Sequence, residues 1–286
     1  MRTNNLKRST FVAMATAFAC VILVSQNLRA QAIEGFPLLE RNFSQAAPRG
    51  FGDLSNSWAQ SMMWWKGNLY VGTSRQSLCT SLAAINQFAA LTISEAFADT
   101  YLPYPPPDPN LTCASDPADL SLQAEIWRWS PITSTWLRVF QSPATLNNPG
   151  PGAPYPPRVG KKLPFDSAFR GMAVHREPDG TEALYAFGIN TTILWDRSKL
   201  PPPRSLRTTD GLNWTPVPQA PGTFFHDLPF NPDHSSFRSP ASYDGKLFVL
   251  SGPVFGQGSL IASANPAQGN NAWFLAGPPG LLFYEL

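Results

Sequence analysis

An all-β fold built from repeated four-stranded antiparallel units, a β-propeller, is predicted by three observations. Residues 167–219 hold one complete unit, four short strand-like runs joined by turns and closing on a Trp. The opening of that unit returns 68 residues later, where Ser235-Ser236-Phe237-Arg238 repeats Ser167-Ala168-Phe169-Arg170. Thirty Pro, twenty Gly and nine Trp with only 14% charged residues point to many turns and aromatic packing, not long helices.

The complete unit sets the template. Its first strand runs through Phe169-Arg170-Gly171-Met172-Ala173-Val174 and ends near His175. A turn at Pro178-Asp179-Gly180 leads to Ala183–Gly188. Ser205–Thr208, the turn Thr209-Asp210-Gly211 and Asn213–Val217 complete it. An earlier copy spans 56–141: Ser57–Trp65, a Lys66-Gly67-Asn68 turn and Leu69–Thr73 form its first hairpin. Glu125–Trp129 and Trp136–Phe140 form its second. Between them lies an insertion, 75–122, with apolar residues at helical spacing over Leu82–Phe97 and an extended Pro run near 104–109. Insertions of this length are either functional loops or surface decoration.

A third copy spans 235–276. Asp244-Gly245 repeats the Asp179-Gly180 turn, and Ser259–Ser263 and Ala272–Leu275 supply the outer strands. Residues 280–286 read as the first strand of a fourth copy, and 33–55 as a lead-in segment. A closed ring needs about four to eight blades. The sequence therefore reads as a fragment of a longer protein; assembly with another copy and an open wedge are the competing readings.

Two turns carry a family resemblance. Trp129-Ser130-Pro131-Ile132-Thr133-Ser134-Thr135-Trp136 resembles the kelch signature, although Gly72-Thr73 stands where kelch repeats have a Gly pair. Thr208-Thr209-Asp210-Gly211-Leu212-Asn213-Trp214 is similar to the Asp-box of sialidase-type propellers, one residue shorter. In both families these turns mark fold. The resemblance assigns structural roles to Trp136, Asp210, Gly211, Trp214 and Trp273, with Asp or Thr oxygens capping turn N–H groups and the Trp ring packing on a neighbouring sheet.

Residues 1–32 read as a cleavable signal peptide: Arg2, Lys7 and Arg8 precede an apolar run from Phe11 to Val24, and Ala30-Gln31-Ala32 is a small-x-small cleavage site. The run is short for a membrane span, and Cys20 lies inside it, not at its end as a lipidated Cys would. A secreted or periplasmic protein with no lasting membrane anchor is expected, cut after Ala32. Cleavage removes Arg2, Lys7, Arg8 and Arg29, so Lys+Arg falls from 21 to 17 against 19 Asp+Glu, and the net charge goes from +2 to −2. A nucleic-acid partner, which needs a basic stripe, is excluded. Cys79 and Cys113 remain, and in an oxidising compartment they are expected to form a disulfide worth roughly 3–4 kcal/mol.

Candidate ligand-binding residues are arginines. Arg170 and Arg238 occupy equivalent places on first strands, which line the channel of a propeller. Together they could clamp an anion or carboxylate; the competing reading is a repeat feature that bonds neighbouring loops. Arg75 joins them if a sialidase-like arginine triad is sought, but no Tyr-Glu nucleophile pair can be assigned beside it. Trp58 takes the place of Phe169 and Phe237 and reads as core. His175 reads as structural. His226, Asp227, Asp233 and His234 match no metal-ligand spacing and read as a solvated loop, so no metal site is expected. No Gly-rich phosphate loop, Gly-x-Ser-x-Gly elbow or His-Glu-x-x-His run occurs, so neither a cofactor nor a catalytic residue is assigned. Two functions remain: an exported non-catalytic module binding a protein or glycan, or part of a secreted carbohydrate-active hydrolase with its carboxylates beyond Leu286.

Overall fold

The computed structural model describes residues 39–40, 43–109, 111–148, 160–190, 200–228, 235–252 and 258–278. The signal segment, the 149–157 spacer, Asp233, His234 and the 280–286 strand lie outside the described residues. The chain divides into two units, Met1–Ala46 and Ala47–Leu286. In the first, a single turn is described, with the Phe43 N–H donating to the Glu40 carbonyl at 3.0 Å.

Among its described residues the second unit is all-β apart from two helices and short 3-10 turns. Twelve of its fourteen described strands form three antiparallel groups of four, linked into one set by single bridges. The first sheet is β1 (Asn56–Trp65), β2 (Asn68–Arg75), β3 (Glu125–Ser130) and β4 (Thr135–Gln141), in that spatial order. After a small hairpin, β5 (Ala144–Asn147) with β6 (Lys162–Pro164), comes the second sheet. It holds β7 (Ala168–Arg176), β8 (Glu182–Ile189), β9 (Ser205–Thr208) and β10 (Thr215–Pro216). The third holds β11 (Ser236–Tyr243), β12 (Lys246–Gly252), β13 (Ser259–Ser263) and β14 (Phe274–Leu275). Single bridges, Ser74↔Ala168 and Ile189↔Ser236, link successive sheets.

The sheets stack face to face, which makes the fold a β-propeller architecture. Period-2 alternation on each central strand sends one set of side chains to each neighbour. On β8, Leu184 and Ala186 pack toward the first sheet with Trp65, Tyr70 and Ile126, while Tyr185 and Phe187 pack toward the third with Leu247, Val249 and Ile261. In this second layer Phe225 from a loop lies between Phe237 and Trp273, stacked on each at centroid distances of 5.3 and 4.8 Å. Each buried aromatic contributes about 1.5–3 kcal/mol through apolar area removed from water.

The first strand of each of these sheets carries a register shift, between Ala59 and Ser61, Phe169 and Gly171, and Arg238 and Ala241. There the backbones come close. A Cβ on Gly171 would fall 2.1 Å from Pro240 Cδ, and one on Gly72 2.7 Å from Phe169 Cβ. Only Gly allows these approaches.

The insertion folds as α1 (Ser77–Thr92) and α2 (Glu95–Tyr101), not as one helix over 82–97. Ser94 divides them: its hydroxyl accepts from the Phe97 N–H at 3.1 Å and caps a new helix. The Cys79–Cys113 disulfide is formed, with Cα atoms 5.4 Å apart, and ties α1 to the returning chain. Among the described residues no helix is long and apolar enough to cross a membrane.

Candidate functional site

A cavity of about 290 Å³ opens where β1 begins and α1 leaves β2. Its lining includes Arg49, Phe51, Leu54, Trp58, Leu78 and Thr112, and it contains no Asp, Glu or His. Trp58 is the main departure from the sequence reading. It does not take the core place of Phe169 and Phe237, which are fully buried, but is 46% exposed in this cleft. Two register shifts, between Asn56 and Trp58 and between Ala59 and Ser61, flank this stretch of β1; within it Trp58 pairs with Ser74, and its indole is turned away from the inter-sheet core.

The walls are held by a dense polar network. Gln76, in the left-handed region at φ 45°, is the hinge between strand and helix. Its N–H donates to the Ser55 carbonyl at 2.7 Å, its amide nitrogen to the Thr112 carbonyl at 3.2 Å, and its amide oxygen accepts from the Ser121 N–H at 2.9 Å. One residue, through its backbone and its side chain, thus joins the lead-in to the returning end of the insertion. Asn56 fixes the start of β1, donating to the Gly50 carbonyl at 3.0 Å and to Glu125 Oε2 at 2.8 Å.

Arg75, which the sequence offers as a ligand-binding residue beside Arg170 and Arg238, stands inside this network. Its buried guanidinium donates to Asp53 Oδ2 at 2.6 Å, Ser121 Oγ at 2.7 Å and Asn56 Oδ1 at 3.3 Å. Partial burial pushes the Asp53 carboxyl up, but the Ser55 N–H and Arg75 outweigh it and hold it below its ordinary value. Four of the five guanidinium N–H groups of Arg75 are spent on Asp53, Asn56 and Ser121. Arg170 and Arg238 stand on the neighbouring first strands β7 and β11, Arg238 buried and Arg170 half-buried, each with interactions of its own. Neither lines the cavity.

Three buried carboxylates are likewise committed to the fold. Glu125 accepts from Trp127 Nε1, Arg138 and Asn56. Asp166 accepts from Arg204 Nε and Nη2 and from Ser142. Glu177 accepts from Arg207 Nε at 2.6 Å, Arg207 Nη2 at 2.7 Å and the Tyr185 hydroxyl. Burial pushes the Asp166 carboxyl up against the pull of Arg204. Burial also raises Glu177, but Arg207 and Tyr185 outweigh it and hold that carboxyl low. Carboxylates clamped in this way are poor proton shuttles.

The turn residues serve the fold in different ways. Asp210 Oδ1 accepts from the Leu212 and Asn213 N–H groups at 2.8 Å, and these bonds hold its carboxyl far below the usual range. Thr208 Oγ1 accepts from the Gly211 N–H, and Trp214 packs edge-on to Tyr70. Trp136 lies against Trp129 and Phe51, and Trp273 is buried among Phe187 and Phe225. His175 is buried, its Nδ1 sharing a hydrogen bond with Ser242 Oγ at 2.9 Å. Asp227 contacts the His226 ring, and among the described residues no cluster of three or more His, Cys, Asp or Glu is placed to hold a metal ion.

No protein-family model and no curated protein matches the chain. The kelch and Asp-box resemblances therefore rest on the two turns themselves. Among solved structures, the chain is similar to a glycoside hydrolase family 43 arabinoxylan arabinofuranohydrolase from Bacillus subtilis in complex with cellotetraose. Identity is 13%, coverage 77% of this chain and 51% of that one, and the TM-score 0.26. It is also similar to an exo-β-1,3-galactanase from Phanerochaete chrysosporium with β-1,3-galactotriose, at 7% identity, 77% and 50% coverage and a TM-score of 0.27. A third is a family 43 β-xylosidase/α-arabinofuranosidase from a compost microbial metagenome with xylotriose, at 11% identity, 72% and 73% coverage and a TM-score of 0.26. The chain spans about half the length of the first two. At such TM-scores the superpositions are loose, and the fold stands on the strand pairing described above.

Proposed function

We propose that this chain is the glycan-binding part of an exported β-propeller protein, and that the Trp58 cleft holds a sugar ring. The observation that supports this most is the exposed Trp58 indole inside a concave, mostly apolar cleft. Sugar rings present flat C–H faces that stack on indole, while their hydroxyls need donors and acceptors at the rim. Arg49, Ser57 and Thr112 supply such groups around the indole. The volume lies at the small end of the roughly 300–1,000 Å³ typical of ligand pockets. The lining lacks any carboxylate, so the cleft is suited to recognition and not to acid–base chemistry.

A second reading keeps hydrolysis. The three similar structures are named as glycosidases, and a hydrolase needs two carboxyl groups about 5–10 Å apart, which this reading places outside the cleft. The two separate in one experiment: neutral gluco-, xylo-, arabino- and galacto-oligosaccharides are titrated into the chain, and the products are then chromatographed. Saturable binding with intact sugar supports the first reading. Cleaved sugar supports the second, and no binding to any member sinks the glycan proposal.

A further inference from the structure

The Trp58 cleft carries charge of one sign. Among the described residues that line it, Arg49 alone is ionised; the other polar side chains are Asn56, Ser57, Gln76 and Thr112. The Asn56 and Gln76 amides are already committed, to Gly50 and Glu125 and to Thr112 and Ser121. Arg49 is not. It is exposed, and among the described residues no hydrogen bond, ion pair or ring contact engages its guanidinium. The carboxylate four positions on, Asp53, is spent elsewhere, accepting from Arg75 at 2.6 Å and from the Ser55 N–H at 2.9 Å. Arg75, Arg204 and Arg207 behave differently, since each meets a carboxylate of the fold.

The backbone beneath Arg49 is fixed. Arg49 opens the short turn Arg49–Gly52, in which Gly50 and Phe51 both take left-handed backbone, at φ 59° and 57°. That conformation is strained for a Phe and persists only where neighbours impose it. Here the Phe51 ring stacks on Trp127 and meets Trp136 edge-on, both at 4.9 Å between centroids. The Gly50 carbonyl accepts from the Asp53 N–H at 3.1 Å and from the Asn56 side chain at 3.0 Å, and the Phe51 N–H donates to the Pro48 carbonyl at 2.9 Å. A held backbone thus presents an unspent cation at a concave site whose lining has no carboxylate to neutralise it.

We infer that the ligand of this cleft is an acidic sugar of the uronic acid class, which rests on the glycan reading of the cleft and adds a charge to it. The flat face of the ring lies on the Trp58 indole and the ring carboxylate is held by Arg49. Chemistry favours a carboxylate over a hydroxyl at that place. The planar guanidinium offers parallel N–H donors that match both carboxylate oxygens, and bonds between two charged groups are stronger than neutral ones. A neutral sugar leaves the fork facing hydroxyls, while a cationic sugar is repelled. Arg49 is therefore the residue that sets specificity, and Trp58 the platform that any pyranose can use.

Calorimetric titration tests this with trimers of galacturonic, glucuronic and mannuronic acid, each as the free acid, the methyl ester and the carboxyl-reduced neutral sugar. In the wild type the free acid of the preferred trimer is expected to bind about tenfold more tightly than its ester or neutral form, as for a bond between charged groups. Added salt shrinks that ratio by screening the exposed charges. Arg49→Gln brings the ratio to about one, and Arg49→Lys keeps part of it, because the charge remains but the fork is lost. Arg176→Gln removes the same charge from an exposed arginine outside the lining and leaves the ratio intact. Arg49 supports no contact of the fold among the described residues, so its variants stay folded, which circular dichroism verifies. Equal affinity for the three forms in the wild type, or a ratio that Arg49→Gln preserves, overturns the acidic-sugar assignment and leaves the glycan reading standing. No binding of any form removes both.

Discussion

Gly211 lies directly over the hydroxyl of Tyr70, a residue of the neighbouring sheet: a Cβ added to Gly211 would come within 1.9 Å of that oxygen. The glycine also sits at φ +76°, held there by the Thr208 and Asp210 bonds of its turn. Gly211→Ala therefore suffers both backbone strain and overpacking, a loss of about 2–4 kcal/mol. Urea denaturation measures it. Tyr70→Leu in the same chain relieves the clash but not the strain, so the double variant recovers only part of the loss; full recovery would show that φ is not a constraint.

Replacing Arg75 tests whether it is structural. Arg75→Ala takes a cation at 3.6 Å from the buried Glu125 carboxylate and leaves Asn56 Oδ1 without its donor, and costs about 3–5 kcal/mol, the scale of breaking a buried pair. Arg75→Lys recovers little, because a lysine cannot reach Asp53, Asn56 and Ser121 together as the planar fork does. A ligand-binding Arg75 would instead leave the unfolding midpoint unchanged.

Reduction of the Cys79–Cys113 bond, or Cys79→Ser with Cys113→Ser, frees a loop of sequence separation 34. The loop-entropy account gives a destabilisation of roughly 3–4 kcal/mol. The cleft beside it also widens, since Cys79 is part of the lining. Thermal melts with and without reductant read the first effect, and oligosaccharide affinity the second.

Stability should fall on mild acidification through His175. Burial pushes the imidazole below its ordinary value, against the pull of the Ala264 backbone and Glu177. The unfolded chain takes up this proton near pH 6.5 and the folded one only at lower pH, so stability is lost as pH drops below about 6.5, by at most about 1.4 kcal/mol per unit. Asp53, Glu177 and Asp179, held low in the fold, add a further loss nearer pH 4. His175→Gln should flatten the dependence between pH 5 and 7 and leave the acid limb; an unchanged slope there removes His175 from the account.

The repeat was readable in the sequence because each strand follows a period of two and each turn uses Gly or Asp-Gly, as at Lys66-Gly67, Asp210-Gly211 and Asp244-Gly245. The cleft was not. Trp58 aligns by residue type with Phe169 and Phe237, and the register shifts on either side of it, backbone events with no side-chain signature, are not readable in the sequence. Arg75 sits at a strand end as a channel ligand would, and its role became clear only with Ser121 and Asp53 beside it. These lie 46 and 22 residues away in sequence and are brought together by the closed insertion. The Ser94 cap that splits the insertion helix was the one local signal that could have been used.

The most direct test of the glycan cleft is calorimetric titration of the wild type, Trp58→Ala and Trp58→Phe with the oligosaccharide panel. Trp58 is exposed and outside the inter-sheet cores, so the variants keep the fold. The account predicts saturable binding by the wild type, a loss of at least about tenfold in Trp58→Ala, as for removal of an aromatic anchor, and partial retention in Trp58→Phe. Equal affinity in the wild type and Trp58→Ala would contradict it.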